Sequence, residues 1–106
     1  MKVDLNIPAF DLDGITVLLD EKGLPSTLGR AIAHHFAYHT QGDFLKFNDW
    51  ARSMYKGEPF DLDSSDQKVF SDFLKSTDKI VNMIKAPIQN IIDKKPPYGE
   101  VDKIKK

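Results

Sequence analysis

The 106 residues include 41% hydrophobic and 10% aromatic side chains, enough apolar area for one core and too little for two. There is no cysteine, which excludes a disulfide framework and any thiolate zinc site. Fifteen Lys and Arg against sixteen Asp and Glu leave a net charge of −1, which excludes the overall basicity of a dedicated nucleic-acid binder.

That charge is uneven, with net +3 over residues 94–106 and net −4 over residues 1–93. The opening stretch Met1-Lys2-Val3-Asp4-Leu5-Asn6 has an acid at its fourth position and no long apolar run, so neither a signal peptide nor a membrane span is expected. A reducing compartment, the cytoplasm, fits a chain without cysteine.

Val3, Leu5 and Ile7 alternate with Asp4 and Asn6, the period-two pattern of a strand with one buried face. Ile15 to Leu19 is a second β-branched and aliphatic run, and Asp13-Gly14 between the two predicts a hairpin. Asp20-Glu21-Lys22-Gly23 predicts a further turn.

Thr27 is placed to cap a first helix over residues 27–40, with Leu28, Ile32, Phe36 and His39 on one face and Ala31 and His35 beside them. Gly42 ends it and Asp43 caps a second helix over residues 43–56, where Phe47, Trp50, Ala51 and Met54 form the strongest apolar stripe in the chain and Gly57 is the stop. Ser64-x-x-Gln67 has the form of a capping box opening a short third helix, with Val69, Phe70, Phe73 and Leu74 inward. Ser76-Thr77-Asp78 caps a fourth segment carrying Ile80, Ile84, Ile88 and Ile91, which Pro87 should kink or divide. Beyond Asp93 the apolar periodicity stops, and residues 94–106 read as a flexible Lys-rich tail on a single globular domain of residues 1–93. The fold class expected is therefore α+β and mostly helical: an N-terminal β-hairpin followed by three to four short helices that cover it.

Three constellations carry possible chemistry. His35 and His39, at i and i+4 on one helix face beside His34, have the spacing to grip a metal, with Asp43 as a third donor. No Glu stands between them as in zinc-protease helices, and Asp43 falls beyond Gly42, so ordinary surface histidines are the favoured reading. Asp11, Asp13, Gly14 and Asp20 fall on the third, fifth, sixth and twelfth positions of a calcium-loop frame, but Ala9 at its first position has no side-chain oxygen. These carboxylates are read as turn formers, and Asp61-x-Asp63-Ser64-Ser65-Asp66 as a helix cap. Trp50 and Tyr55 with Arg52 and Lys56 have the composition of a basic aromatic patch for single strands, although Trp50 shares the core stripe. No nucleophile elbow or Gly-rich phosphate loop is present, and no catalytic residue, metal ligand or cofactor is assigned.

The run Phe10-Asp11-Leu12-Asp13-Gly14, the turn Asp20-Glu21-Lys22-Gly23, the helix opening Thr27-Leu28-Gly29 and Met54-Tyr55-Lys56-Gly57 before an acidic connection together resemble small uncharacterised proteins encoded in phages and prophages. The resemblance covers residues 10–92 and implies an accessory or assembly factor, with no catalytic residues attached.

Phe36, Phe44, Phe47, Trp50, Phe60, Phe70 and Phe73 exceed what four short elements are expected to hide, which points to self-association or a protein partner. The exposed side of the third helix, or the Pro87 segment through Ile88, Ile91 and Ile92, is the expected contact. The function expected is thus non-enzymatic protein–protein interaction, with a nucleic-acid-associated regulator second and a metal-dependent enzyme using His35 and His39 third.

Overall fold

The computed structural model describes residues 1–40 and 42–98. Its elements are β1 (Lys2–Val3), α1 (Leu28–Ala37), α2 (Phe44–Lys56), β2 (Phe60–Asp61), α3 (Ser64–Ser76) and α4 (Asn82–Ile92), a mostly helical α+β fold as expected. Among the described residues no helix is long and apolar enough to cross a membrane.

The alternation at the N-terminus holds, since Val3, Leu5 and Ala9 are buried while Asp4 and Asn6 face solvent. What differs is the pairing. The regular antiparallel sheet joins β1 to β2, with Val3 opposite Phe60, rather than joining the first strand to residues 15–19. The expected reversal at Asp13-Gly14 is present but short: Asp11 N–H donates to the Thr16 carbonyl at 2.8 Å and Leu18 N–H to the Ala9 carbonyl at 2.7 Å, around the bridge Phe10–Val17. The reason lies in the first turn of α1, whose backbone donors have no intrahelical acceptor. Leu28 donates to the Ile7 carbonyl at 2.9 Å and Gly29 to the Leu5 carbonyl at 3.0 Å, so that edge of the strand is already used.

That contact needs glycine at position 29. A Cβ there would lie 3.0 Å from the Met54 carbonyl oxygen and 3.2 Å from the Leu5 Cβ, so α1 approaches both the N-terminal strand and α2 through a bare backbone.

The caps follow the sequence with two shifts. Thr27 and Asp43 cap α1 and α2 as expected, and Gly57, at φ 76°, closes α2 in the left-handed conformation. The capping box of α3 is Asp63 with Asp66, one residue ahead of the expected Ser64 and Gln67, because a carboxylate at each end satisfies the same donors. The resulting α3 is as long as α2 and not the short helix expected. At α4 the expected Ser76-Thr77-Asp78 cap is absent: Thr77 ends α3, and α4 begins after Val81 with no side-chain cap. Pro87 lies buried inside α4 without dividing it.

The core is aromatic. Phe36 of α1 stands with ring centroids 4.5 Å from Phe73 and 4.7 Å from Phe70 of α3, and 5.2 Å from Phe47 of α2. Trp50, Phe60 and Phe70 complete the cluster, all buried, so of the seven aromatics expected to be in surplus only Phe44 faces solvent. Val69, expected inward, is also exposed.

The boundary expected after Asp93 is corrected. Lys94, in the left-handed conformation at φ 63°, and Lys95 donate back to the Ile91 and Asn90 carbonyls and turn the chain onto the domain. Asn90 holds the Pro97 carbonyl at 3.1 Å. The Tyr98 hydroxyl donates to the Pro8 carbonyl at 2.8 Å and accepts from the Phe10 N–H at 3.0 Å. Burial pushes the Tyr98 phenol up, with the Phe10 N–H opposing. The rest of the expected flexible tail, residues 99–106, lies outside the described residues. Tyr98→Phe is expected to cost about 1–3 kcal/mol, the net worth of two hydrogen bonds, because the Phe10 N–H loses its acceptor and the Pro8 carbonyl its donor. Urea denaturation checks this, and an unchanged midpoint would mean that these two hydrogen bonds contribute nothing to folding, the ring contact with Phe10 being kept.

Candidate interaction surfaces

The three histidines are distributed among different neighbours. His34 stands edge-on to Tyr38 at 5.6 Å and to Tyr55 at 6.1 Å. His39, just beyond the end of α1, stacks on Phe47 at 5.6 Å and meets Phe73 edge-on at 4.7 Å. His35 is half-buried between them. Desolvation, followed by the nearby positive charges of His34 and Lys79, lowers its pKa below the ordinary histidine value. Asp43, the third donor considered for a metal, is occupied as the α2 cap, its carboxylate accepting from Leu45 and Lys46 N–H. Among the described residues no group of three His, Cys, Asp or Glu side chains is placed to hold a metal ion.

The acidic loop is a pair of closed turns. Asp13 accepts from the Thr16 hydroxyl and from Ile15 and Thr16 N–H, and these bonds, the hydroxyl foremost, hold its carboxyl below the usual range. Asp20 accepts from Leu24 and Lys22 N–H and is lowered chiefly by the Leu24 bond. Asp11 accepts from Leu12 N–H. The carboxylates of Asp13 and Asp20 thus each close a turn, while Asp11 closes its own through its backbone carbonyl, which accepts from Gly14 N–H at 2.9 Å. Asp63 and Asp66 likewise cap α3, and Asp66 also takes Lys46 of α2 at 2.6 Å, which holds the Asp66 carboxyl low and the Lys46 ammonium high.

Of the two contact surfaces expected, the Pro87 segment is corrected. Ile88 and Ile92 are buried and Ile91 is half-buried, so α4 offers little apolar surface. Exposed apolar side chains lie elsewhere. Leu12 and Ile15, 89% and 79% exposed, stand three residues apart on the Asp13 turn, and Leu19 and Leu24 flank the Asp20 turn. Phe44 and Leu45 form a smaller group at the start of α2.

Trp50 belongs to the core, which removes it from the basic aromatic patch. The other members remain. Asn48, Arg52 and Lys56 form an i, i+4, i+8 row on α2, and Arg30, His34 and Tyr38 form the matching row along α1 from its first turn to its C-cap. Between the rows is a cleft of about 270 Å³, floored by Ala33, Ala37 and Ala51 and walled by Tyr38 and Tyr55. The Arg30 guanidinium lies 4.9 Å from the Tyr55 ring centroid, in cation–π range. The α2 half of this cleft was legible in the sequence through Tyr55, Arg52 and Lys56. The α1 half was missed, although the spacing of Arg30, His34 and Tyr38 was available.

No family model matches the chain, and neither a curated protein nor a solved structure does.

Proposed function

We propose that the protein works by contact and does no chemistry of its own, engaging a protein partner through the turn that carries Leu12 and Ile15. The observation that supports this reading is the combination of exposure and order at that turn. Three hydrogen bonds to the Asp13 carboxylate fix the backbone while both aliphatic side chains project into water. Scattered exposed aliphatics need no explanation, but two on one braced turn form a preorganised anchor, which lowers the ordering cost of binding. Leu19 and Leu24 on the neighbouring turn widen the apolar surface. We further propose that the role is that of an accessory or assembly factor of a phage or prophage. The support for that origin is the sequence resemblance over residues 10–92, and the genes beside this one test it.

The test of the contact is the paired variant Leu12→Asp/Ile15→Asp, which changes solvent-facing atoms only. Its melting temperature should equal the parent's, while partner capture by in-cell crosslinking, or self-association seen by sedimentation over a wide concentration range, should disappear. Capture and association that survive the double substitution would remove the turn from the interface.

A further inference from the structure

We propose that the cleft between α1 and α2 is a binding site for single-stranded nucleic acid, seating an unpaired base between Tyr38 and Tyr55 with the flanking phosphates on Arg52 and Lys56. This site shares neither Leu12 nor Ile15 with the contact surface and stands on separate observations.

The shape comes from residue size. Where α1 crosses α2, the side chains at 33, 37 and 51 are alanines, so the helices meet over a shallow floor, while the aromatics at 38 and 55 rise on either side. Tyr38 is 77% and Tyr55 49% exposed, yet both rings are oriented, each meeting His34 edge-on. The volume is smaller than that of a pocket for a drug-sized ligand and suits one flat ring. Arg30 covers one face of Tyr55, and the face it leaves open, with the exposed ring of Tyr38, is what an unpaired base stacks on, a stacking that tolerates any base because each has a π-face. In a duplex the bases are stacked on their neighbours and cannot enter.

The charge has one sign. Arg52 and Lys56 line the cleft with no carboxylate among its lining residues, in a chain whose net charge is −1. The nearest acid to the α1 row is Asp20, 3.9 Å from Arg30, whose guanidinium also lies over Tyr55. Among the described residues Arg52 and Lys56 are in no ion pair, so both are available to phosphate. Asn48 adds an amide able to hydrogen-bond a base edge. A chain without overall basicity has no general affinity for polyanions, so any binding must come from a local patch such as this one.

Fluorescence anisotropy with a labelled short oligonucleotide, as DNA and as RNA, single-stranded and as duplex, tests the site on the full chain. Single strands should bind at low salt and duplex much less. With two or three phosphates neutralised, log K should fall against log salt with a slope of about −1.4 to −2.1. Tyr55→Ala should weaken binding roughly 5- to 150-fold, the range for losing one base–aromatic stack. Arg52→Glu, an exposed substitution that leaves the core intact, should weaken binding and flatten the salt slope by about 0.7. The Leu12→Asp/Ile15→Asp variant should bind as the parent does, which separates this site from the contact surface. Failure of single strands to bind at low salt, equal binding of duplex, or an Arg52→Glu protein that binds like the parent would each overturn the proposal.

Discussion

Phe36→Ala should destabilise the protein by about 3–5 kcal/mol, the cost of removing a large aromatic from a packed interior. The residue is 1% exposed and its ring packs against two other helices, through Phe47 and Trp50 on α2 and Phe70 and Phe73 on α3. Its loss leaves a void that none of these can fill without moving a helix, because each is itself held by the others. The Trp50 and Phe70 rings, for example, are 5.7 Å apart. Aromatic pairs add about 0.5–1.5 kcal/mol each beyond the area they bury, although the terms do not sum independently. For a chain of this size the melting temperature should fall by at least about 12 °C. Calorimetry provides the measurement, and a shift of only a few degrees would mean that the aromatic cluster is not the centre of the fold.

Gly29→Val should also destabilise the protein, by about 1–3 kcal/mol from overpacking. The obstacles are backbone and backbone-proximal atoms on two sides, the Met54 carbonyl and the Leu5 Cβ and carbonyl, so no side-chain rotation relieves the contact. Pushing α1 away would also stretch the bond from Gly29 N–H to the Leu5 carbonyl. Urea unfolding should show a lower midpoint with an unchanged slope. Stability equal to the parent's would show that α1 and the N-terminal strand can separate freely, contrary to the close approach described.

The helices were legible because their signals are local. Thr27 and Asp43 as caps, Gly57 as a stop, and the Phe47, Trp50, Ala51, Met54 stripe all act within a few residues, and each lies where its chemistry requires. The candidate cleft was half legible for the same reason. Tyr55, Arg52 and Lys56 lie within five residues of one another, whereas their counterparts on α1 join them only when two helices cross.

By itself, then, the sequence determined the α+β class, the N-caps of α1 and α2, the aromatic core stripe and the reading of Asp13 and Asp20 as turn formers, all consequences of short-range hydrogen bonding and periodicity. The tertiary structure alone decided three things. It paired β1 with β2, Val3 opposite Phe60, a register between residues 57 positions apart that no local pattern encodes, and it gave the carbonyls of Leu5 and Ile7 to the first turn of α1. It brought Tyr98 back to Pro8 and Phe10, a contact between positions 88 to 90 residues apart that no local pattern encodes. And it chose which apolar side chains stay in water, burying Ile88 and Ile92 while leaving Leu12 and Ile15 outside, since exposure depends on which surfaces meet and not on how hydrophobic a residue is.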